Sequence, residues 1–225
     1  MFLTNNILFM YTDRLVIDSP STLRGFIANL FPDNHLLHHH VNTLNEKGLI
    51  YTYPKVQYKI IDGTPMILGI NEAKEIVKTI SKIDHLDLKG KKYLIIDKKL
   101  IEKNVKLGIN NDMHLYKFLT PWLALDEESY LRYKKRNRFE RKRQLESILV
   151  GNIISIAKGV GYIITDQIKA IVNVTEVKTK LKGTTMLGFL GTFSVNFEIP
   201  DYWGIGKSVS RGFGTIKRLR EENIR

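Results

Sequence analysis

No cysteine occurs anywhere in the 225 residues. Disulfides, thiolate zinc sites and cysteine nucleophiles are excluded at once. Long apolar runs are missing too, so the roughly eighteen consecutive apolar residues of a membrane span are nowhere found. The start, MFLTNNILFMYTDRLVID, lacks the basic-then-apolar form of a secretory signal. The expected location is cytoplasmic, with no membrane partner. There is no H-E-x-x-H, and no carboxylates are spaced to complete a ligand set, so neither a metal nor a cofactor is expected. Acids are scarce: Asp and Glu number 23 against 35 Lys and Arg, a net charge of +12. That surplus favours a polyanionic partner, because each phosphate neutralised releases condensed counterions. With 43% hydrophobic and 26% charged residues the chain is otherwise an ordinary folded one. It is long enough for one large core or two small ones.

The pattern of apolar residues predicts an α+β protein. Residues 6–17 read as an opening strand. Asp18, Ser19, Pro20 and Ser21 form a helix-start signal, with apolar positions 23, 26, 27, 30 and 31 following and Pro32 closing the helix. After a polar, histidine-rich stretch come apolar runs at 49–61 and 65–70, divided by the hairpin signal Asp62-Gly63. Asn71 is placed to cap a helix with apolar positions 73, 76, 77, 80 and 83, and a strand follows at 93–97. This β-α-β-β-α-β order is ferredoxin-like, as in RRM domains.

The second half nearly repeats it. A strand at 113–125 closes at Pro121. Acids at 126–128 open a long helix, and two strands at 168–181 and 185–198 meet at Lys182-Gly183. A short last strand, FGTIKRL, ends the pattern. The second helix of the motif is missing, or reduced to the region near Pro200–Trp203. The expectation is two tandem ferredoxin-like domains, 1–110 and 111–225, the second irregular.

Before the last strand runs Gly204-Ile205-Gly206-Lys207-Ser208-Val209-Ser210-Arg211-Gly212-Phe213-Gly214. Glycines admit backbone conformations closed to other residues and allow close approach, and successive amides in such loops cradle phosphate oxygens. Lys207, Arg211, Ser208 and Ser210 add charge and hydroxyls. Two nucleotide-binding motifs fail here: a P-loop needs glycine at Asp201, and a dinucleotide fingerprint needs it at Val209. The plain alternative is a glycine-rich turn with two stray charges. The pattern G-Φ-G-x5-G-Φ-G before a terminal strand resembles the signature loop of the RAMP superfamily. Within it, the chain is similar to the CRISPR-associated endoribonucleases that process precursor crRNA (the Cas-six family). LRGFIANLFPDN, HHH and YPKVQYKIIDGTPMILGI resemble the amino-terminal half of the archaeal, histidine-cluster branch, and YKFLTPWLAL and GNIISIAKGVGY its carboxy-terminal half.

Four of the six histidines fall at 35, 38, 39 and 40. They are either a solvated loop, an adventitious metal patch or a catalytic group. In an extended stretch His38 and His40 face one way and His39 the other, so the pair converges on one phosphate. Two imidazoles suit RNA cleavage, because RNA supplies its own 2′-hydroxyl nucleophile. The protein need only take a proton there and return one to the leaving 5′-oxygen. The resemblance implies this reaction: metal-independent cleavage giving a 2′,3′-cyclic phosphate and a 5′-hydroxyl. It also implies a Tyr or Lys beside the catalytic His, for which Tyr51, Tyr53, Lys47 and Lys55 are candidates. The expected catalytic residues are His40, His38 and Tyr51, in that order. His85 and His114 are expected to be structural or surface residues.

Residues 132–143, RYKKRNRFERKR, carry eight basic residues against Glu140 alone. They are a solvated face or a phosphate-tracking surface, which would position RNA rather than read it. Tyr130, Tyr133 and Phe139 are expected to pack the helix, and Trp122, Tyr202 and Trp203 to lie in the core, with base stacking as the alternative for Tyr202 and Trp203 at the border of the loop. The expected RNA contacts are Gly204, Gly206, Lys207, Ser208, Ser210, Arg211, Gly212, Gly214, Lys55, Lys134 and Arg138. The expected partner is CRISPR repeat RNA, the precursor crRNA; the resemblance also admits a homodimer or a place in a CRISPR effector complex. The competing function is a non-catalytic RAMP-type RNA-binding subunit of such a complex. A DNA-binding regulator lacks a helix-turn-helix signature to support it.

Overall fold

The computed structural model describes residues 1–38 and 53–220, the side chain of His38 excepted. One unit comprises Phe2–Val105 with Ser210–Gly212. Its first strand, β1 (Phe2–Thr12), alternates so that Leu8 and Met10 point into one core. α1 (Pro20–Leu30) starts on Ser19, whose hydroxyl accepts from the Thr22 amide at 3.3 Å, with proline at the first helical position. Leu23 and Ile27, four residues apart, are its buried stripe. α2 (His35–His38) is a single turn: the Asn34 side chain accepts from the Leu36 amide at 3.1 Å, and Leu37 is buried.

β2 (Val56–Ile61) and β3 (Thr64–Ile70) meet at Asp62-Gly63, both at positive φ (49° and 76°), the two-residue hairpin the sequence predicts. A 3-10 turn at Asn71–Ala73 leads into α3 (Lys74–Ile80), which buries Ile76, Val77 and Ile80. β4 (His85–Leu88) and β5 (Lys91–Lys106) make a second hairpin. The strand order is β2-β3-β1-β5-β4. Both longer helices pack on the face carrying Leu8, Met10, Tyr58 and Ile67. Gln57, Lys59, Met66 and Leu68 point to the other face and are buried there.

The other unit holds Met1, Lys106–Val209 and the chain from Phe213 on. Its elements are β6 (Gly108–Phe118), α4 (Glu127–Lys135), α5 (Arg138–Val160), β7 (Ala170–Leu181), β8 (Thr184–Glu198) and β9 (Ile216–Arg218). The order β7-β8-β6-β9 matches β2-β3-β1-β5 element for element. Each unit is thus ferredoxin-like, the first with one extra edge strand. The C-terminal interior is aromatic: Tyr116 stacks on Phe193 at 5.2 Å and Phe118 on Trp122 at 5.3 Å. Between β8 and β9 there is no α-helix, only a 3-10 turn at Val209–Arg211.

Several boundaries differ from the sequence reading. The opening strand occupies 2–12 rather than 6–17, and β6 runs 108–118 rather than 113–125. Beyond Phe118 the chain turns through Thr120-Pro121, and Trp122 keeps only an isolated bridge to Phe189. The long helix expected from Asp126 is two. Arg136 is extended, and Asn137 and Glu140 exchange side-chain-to-amide bonds of 3.0 Å each, starting α5 afresh. The basic run therefore spans a helix break. The strand read at 93–97 is part of the far longer β5 (Lys91–Lys106), whose first residues pair with the short β4; most of β5 is exposed and polar, so its length carries no apolar alternation to reveal it. Asn71 caps nothing; its side chain accepts from the Thr4 amide at 2.9 Å.

Candidate functional site

The glycine loop is held by its own backbone. Ile205 N donates to Gly214 O at 2.9 Å, Lys207 N to Leu123 O at 3.1 Å and Gly214 N to Pro121 O at 2.9 Å. A Cβ on Gly214, at φ +62°, would stand 1.9 Å from the Ile205 carbonyl oxygen. One on Gly206, at φ +91°, would stand 2.6 Å from the Trp122 indole nitrogen, which donates instead to Asn152 Oδ1 at 3.0 Å. Gly204 likewise faces the Val209 side chain, and Gly212 faces Pro20. These glycines are thus required by close packing against the protein itself. Trp203, Ile205 and Val209 fill the space beneath.

The loop's polar side chains divide into two groups. In the C-terminal unit, exposed Lys207 lies 3.7 Å from Asp126, the N-cap of α4. The bonds that Asp126 accepts from Ser129, and then the Lys207 charge, hold its carboxyl below the usual range. Ser208 takes a left-handed φ of 57°. In the N-terminal unit, Ser210 Oγ accepts from Arg24 Nη1 at 3.3 Å. Burial first, and the Arg211 charge second, push the Arg24 guanidinium below its ordinary value. Among the described residues no carboxylate lies within 4.0 Å of either arginine. The Tyr58 hydroxyl, pushed upward by burial, is itself buried with no hydrogen-bond partner among them.

Of the remaining expected contacts, Lys55 is half-buried and lies 3.7 Å from Glu72. Lys134 and Arg138 are exposed on α4 and α5. In the basic run Arg132 pairs with Glu128, Arg141 with Glu176 at 3.5 Å, and Lys142 with Glu146 at 3.9 Å. Lys134, Lys135, Arg136, Arg138 and Arg143 have no such partner among the described residues, so five unneutralised cations line this surface. Tyr133 is buried as expected, its hydroxyl donating to Glu176 at 2.9 Å. Phe139 is instead 66% exposed, with the Arg143 guanidinium 5.5 Å from its ring centre. α5 begins just before Phe139, so the i, i+4 stripe starting at Leu145 does not include it. Trp122 and Trp203 are core residues, as expected.

His40 and Tyr51 lie outside the described residues. The backbone of His38 is helical, closing α2, so the extended stretch that would place 38 and 40 on one face does not hold at its first member. Asn34 and buried Leu37 impose that turn. His114 is held on both sides: Arg218 Nη2 lies 2.7 Å from its Nδ1, and the Asn110 side-chain nitrogen lies 2.8 Å from its Nε2. Burial, then the Arg218 charge, lower its proton affinity. Among the described residues no group of three His, Asp or Glu is placed to hold a metal ion.

Two residues escaped the sequence reading. Arg24 sits in an otherwise ordinary amphipathic helix and meets Ser210, 186 positions further along the chain. Lys59, fully buried on β2, donates to Gln57 Oε1 at 3.0 Å, and burial lowers its amine to about 7. A lysine inside a strand carries no sequence signal for either property.

Two ferredoxin-like units in tandem, the second with a glycine loop where its second helix would stand, define a RAMP-type protein. Residues 4–106 match the family model of the Cas6b N-terminal domain and residues 108–219 that of the Cas6b C-terminal domain. The chain belongs to the Cas6b family. It is 32% identical to a protein solved as "Crystal structure of Cas6b", covering 97% of this chain and 100% of that one at a TM-score of 0.88. A structure described as that of the CRISPR RNA processing endoribonuclease Cas6b is also 32% identical, with the same coverage and a TM-score of 0.77. A relative from Methanocaldococcus jannaschii, the uncharacterized protein MJ0978, is 41% identical over 143 residues, 63% of this chain and 97% of that protein.

Proposed function

We propose that this chain is a metal-independent endoribonuclease that binds CRISPR repeat RNA and cuts precursor crRNA. The observation that supports this most strongly is that the chain covers the whole length of a structure described as that of the CRISPR RNA processing endoribonuclease Cas6b, at 32% identity. The net charge of +12 and the unneutralised cations around Arg138 suit a phosphate polymer.

In the proposed reaction His40 takes the proton of the 2′-hydroxyl as its oxygen attacks the adjacent phosphorus. The bond to the 5′-oxygen then breaks, and His38 returns a proton to that leaving group. A 2′,3′-cyclic phosphate and a 5′-hydroxyl result, with no water consumed. Tyr51 assists beside the histidines. Glycine-loop residues Lys207, Ser208, Ser210 and Arg211, together with Lys55, Lys134 and Arg138, hold the RNA backbone. General acid–base help of this kind contributes about 10²–10⁴ in rate. Incubation with the cognate repeat RNA in EDTA is expected to give one discrete cut with a cyclic phosphate end. A 2′-deoxy residue upstream of the cut should abolish cleavage and largely spare binding. Binding without cleavage would make the chain a non-catalytic RNA-binding subunit, and cleavage only with added metal would overturn the mechanism.

A further inference from the structure

Arg24 and Arg211 are two like charges held together with nothing of opposite sign to reconcile them. Arg24 is partly buried on α1, and its Nη1 reaches Ser210 Oγ, beside Arg211, at 3.3 Å. Neither guanidinium has a carboxylate within 4.0 Å among the described residues. A protein that needed Arg24 only for packing would pair it, since desolvated like charges destabilise the fold. The contact is also built closely. Gly212, next to Arg211, lies so near α1 that a Cβ there would meet Pro20 at 2.6 Å and the Tyr58 carbonyl oxygen at 3.0 Å. Two guanidinium forks and a serine hydroxyl are donors in search of one acceptor.

We infer that Arg24, Arg211 and Ser210 form a subsite for one phosphodiester group of the bound RNA, with Arg24 as its unrecognised member. The inference rests on the reading of the chain as an RNA-binding nuclease and adds a specific contact to it. A phosphodiester fits the donors: its two free oxygens accept bidentate bonds from guanidinium groups, and its single charge cancels the mutual repulsion. Lys207 differs in kind, because Asp126 already lies beside it. The loop therefore offers one end that the protein neutralises and one end left for the ligand.

The test uses full-length protein and repeat RNA with 2′-fluoro substitution throughout, which keeps the phosphates and removes the nucleophile. Affinity is measured as a function of salt, and thermal stability is measured without RNA. Arg24→Ala should weaken binding about tenfold or more. It should also reduce the slope of log affinity against log salt by about 0.7, the loss of one phosphate contact on a single strand. The free protein should melt at the same temperature or higher, because a repulsion has been removed. Arg24→Lys should keep most of the salt slope while losing affinity, since a point charge cannot reproduce the fork. Unchanged affinity and slope in both variants would overturn the subsite. So would a lowered melting temperature restored by lysine, which marks a structural role. If the wild type binds the 2′-fluoro RNA but leaves unmodified RNA uncut, the nuclease reading fails and the subsite stands. If it cuts normally and the Arg24 variants bind like wild type, only the subsite fails.

Discussion

After β3 the N-terminal unit makes a helix; after β8 the C-terminal unit, whose shared strands run in the same order, makes none. The apolar cover is kept all the same. α3 supplies Ile76, Val77 and Ile80, and the loop supplies Trp203, Ile205 and Val209. What changes is the backbone. A helix spends its amides on its own carbonyls, whereas the loop reaches Leu123 and Pro121 through a few bonds and close glycine packing. The loop thereby places charged and hydroxyl side chains at fixed points in a unit that otherwise buries stacked aromatics. The N-terminal sheet shows the opposite habit, burying Asn5, Asn6, Gln57 and Lys59 among its apolar residues. Equivalent topologies thus carry different polar loads.

The comparison breaks most visibly at Gly214. If the loop is a packed substitute for a helix, Gly214→Ala must displace the Ile205 carbonyl. It should destabilise the C-terminal unit by about 4 kcal/mol, read as a lowered denaturation midpoint. A near-neutral result would mean that the loop does not hold the sheet. Next is Lys59→Met, which removes the polar load from the other unit. The folded-state value of Lys59 is lowered from 10.5 to about 7, so between those values the unfolded chain binds more protons and stability rises with pH. Below pH 7 the burial penalty is complete. Near pH 7 the substitution should stabilise by roughly 3 kcal/mol, and melting curves from pH 7 to 10 should lose their upward slope.

Smaller effects sharpen the same contrast. Asn152→Leu orphans the Trp122 indole N–H beside Gly206 and should cost about 1–2 kcal/mol. Gly151, exposed on α5 with open space around it, should instead tolerate alanine with a gain of about 0.5–1 kcal/mol. Both are measured by chemical denaturation, and together they separate glycines required by packing from one that is not.

The sequence disclosed the fold where local chemistry is strong. Asp62-Gly63 and Lys182-Gly183 gave the β2–β3 and β7–β8 hairpins, and Ser19-Pro20 gave α1, because turn and cap residues act on their immediate neighbours. Asn137 was missed as a cap because basic residues on both sides mask the break between α4 and α5. The glycine pattern led to the right family, but it did not reveal that all four glycines face the protein, since packing partners such as Trp122 and Pro20 are set by tertiary structure. The Arg24–Ser210 contact was invisible for the same reason. Of the histidine cluster only His35 and the backbone of His38 fall among the described residues, and the helical turn there replaces the extended geometry assumed for His38.

The division of labour, histidines cutting and loop holding, is tested most directly by one pair of variants assayed side by side in EDTA. Single-turnover cleavage and equilibrium binding of repeat RNA are measured for His40→Ala and Arg211→Ala. The account predicts a rate reduced about 10²–10⁴-fold for His40→Ala with affinity nearly unchanged, and weakened binding with a nearly normal saturated rate for Arg211→Ala. Weakened binding with a preserved rate in His40→Ala would contradict it.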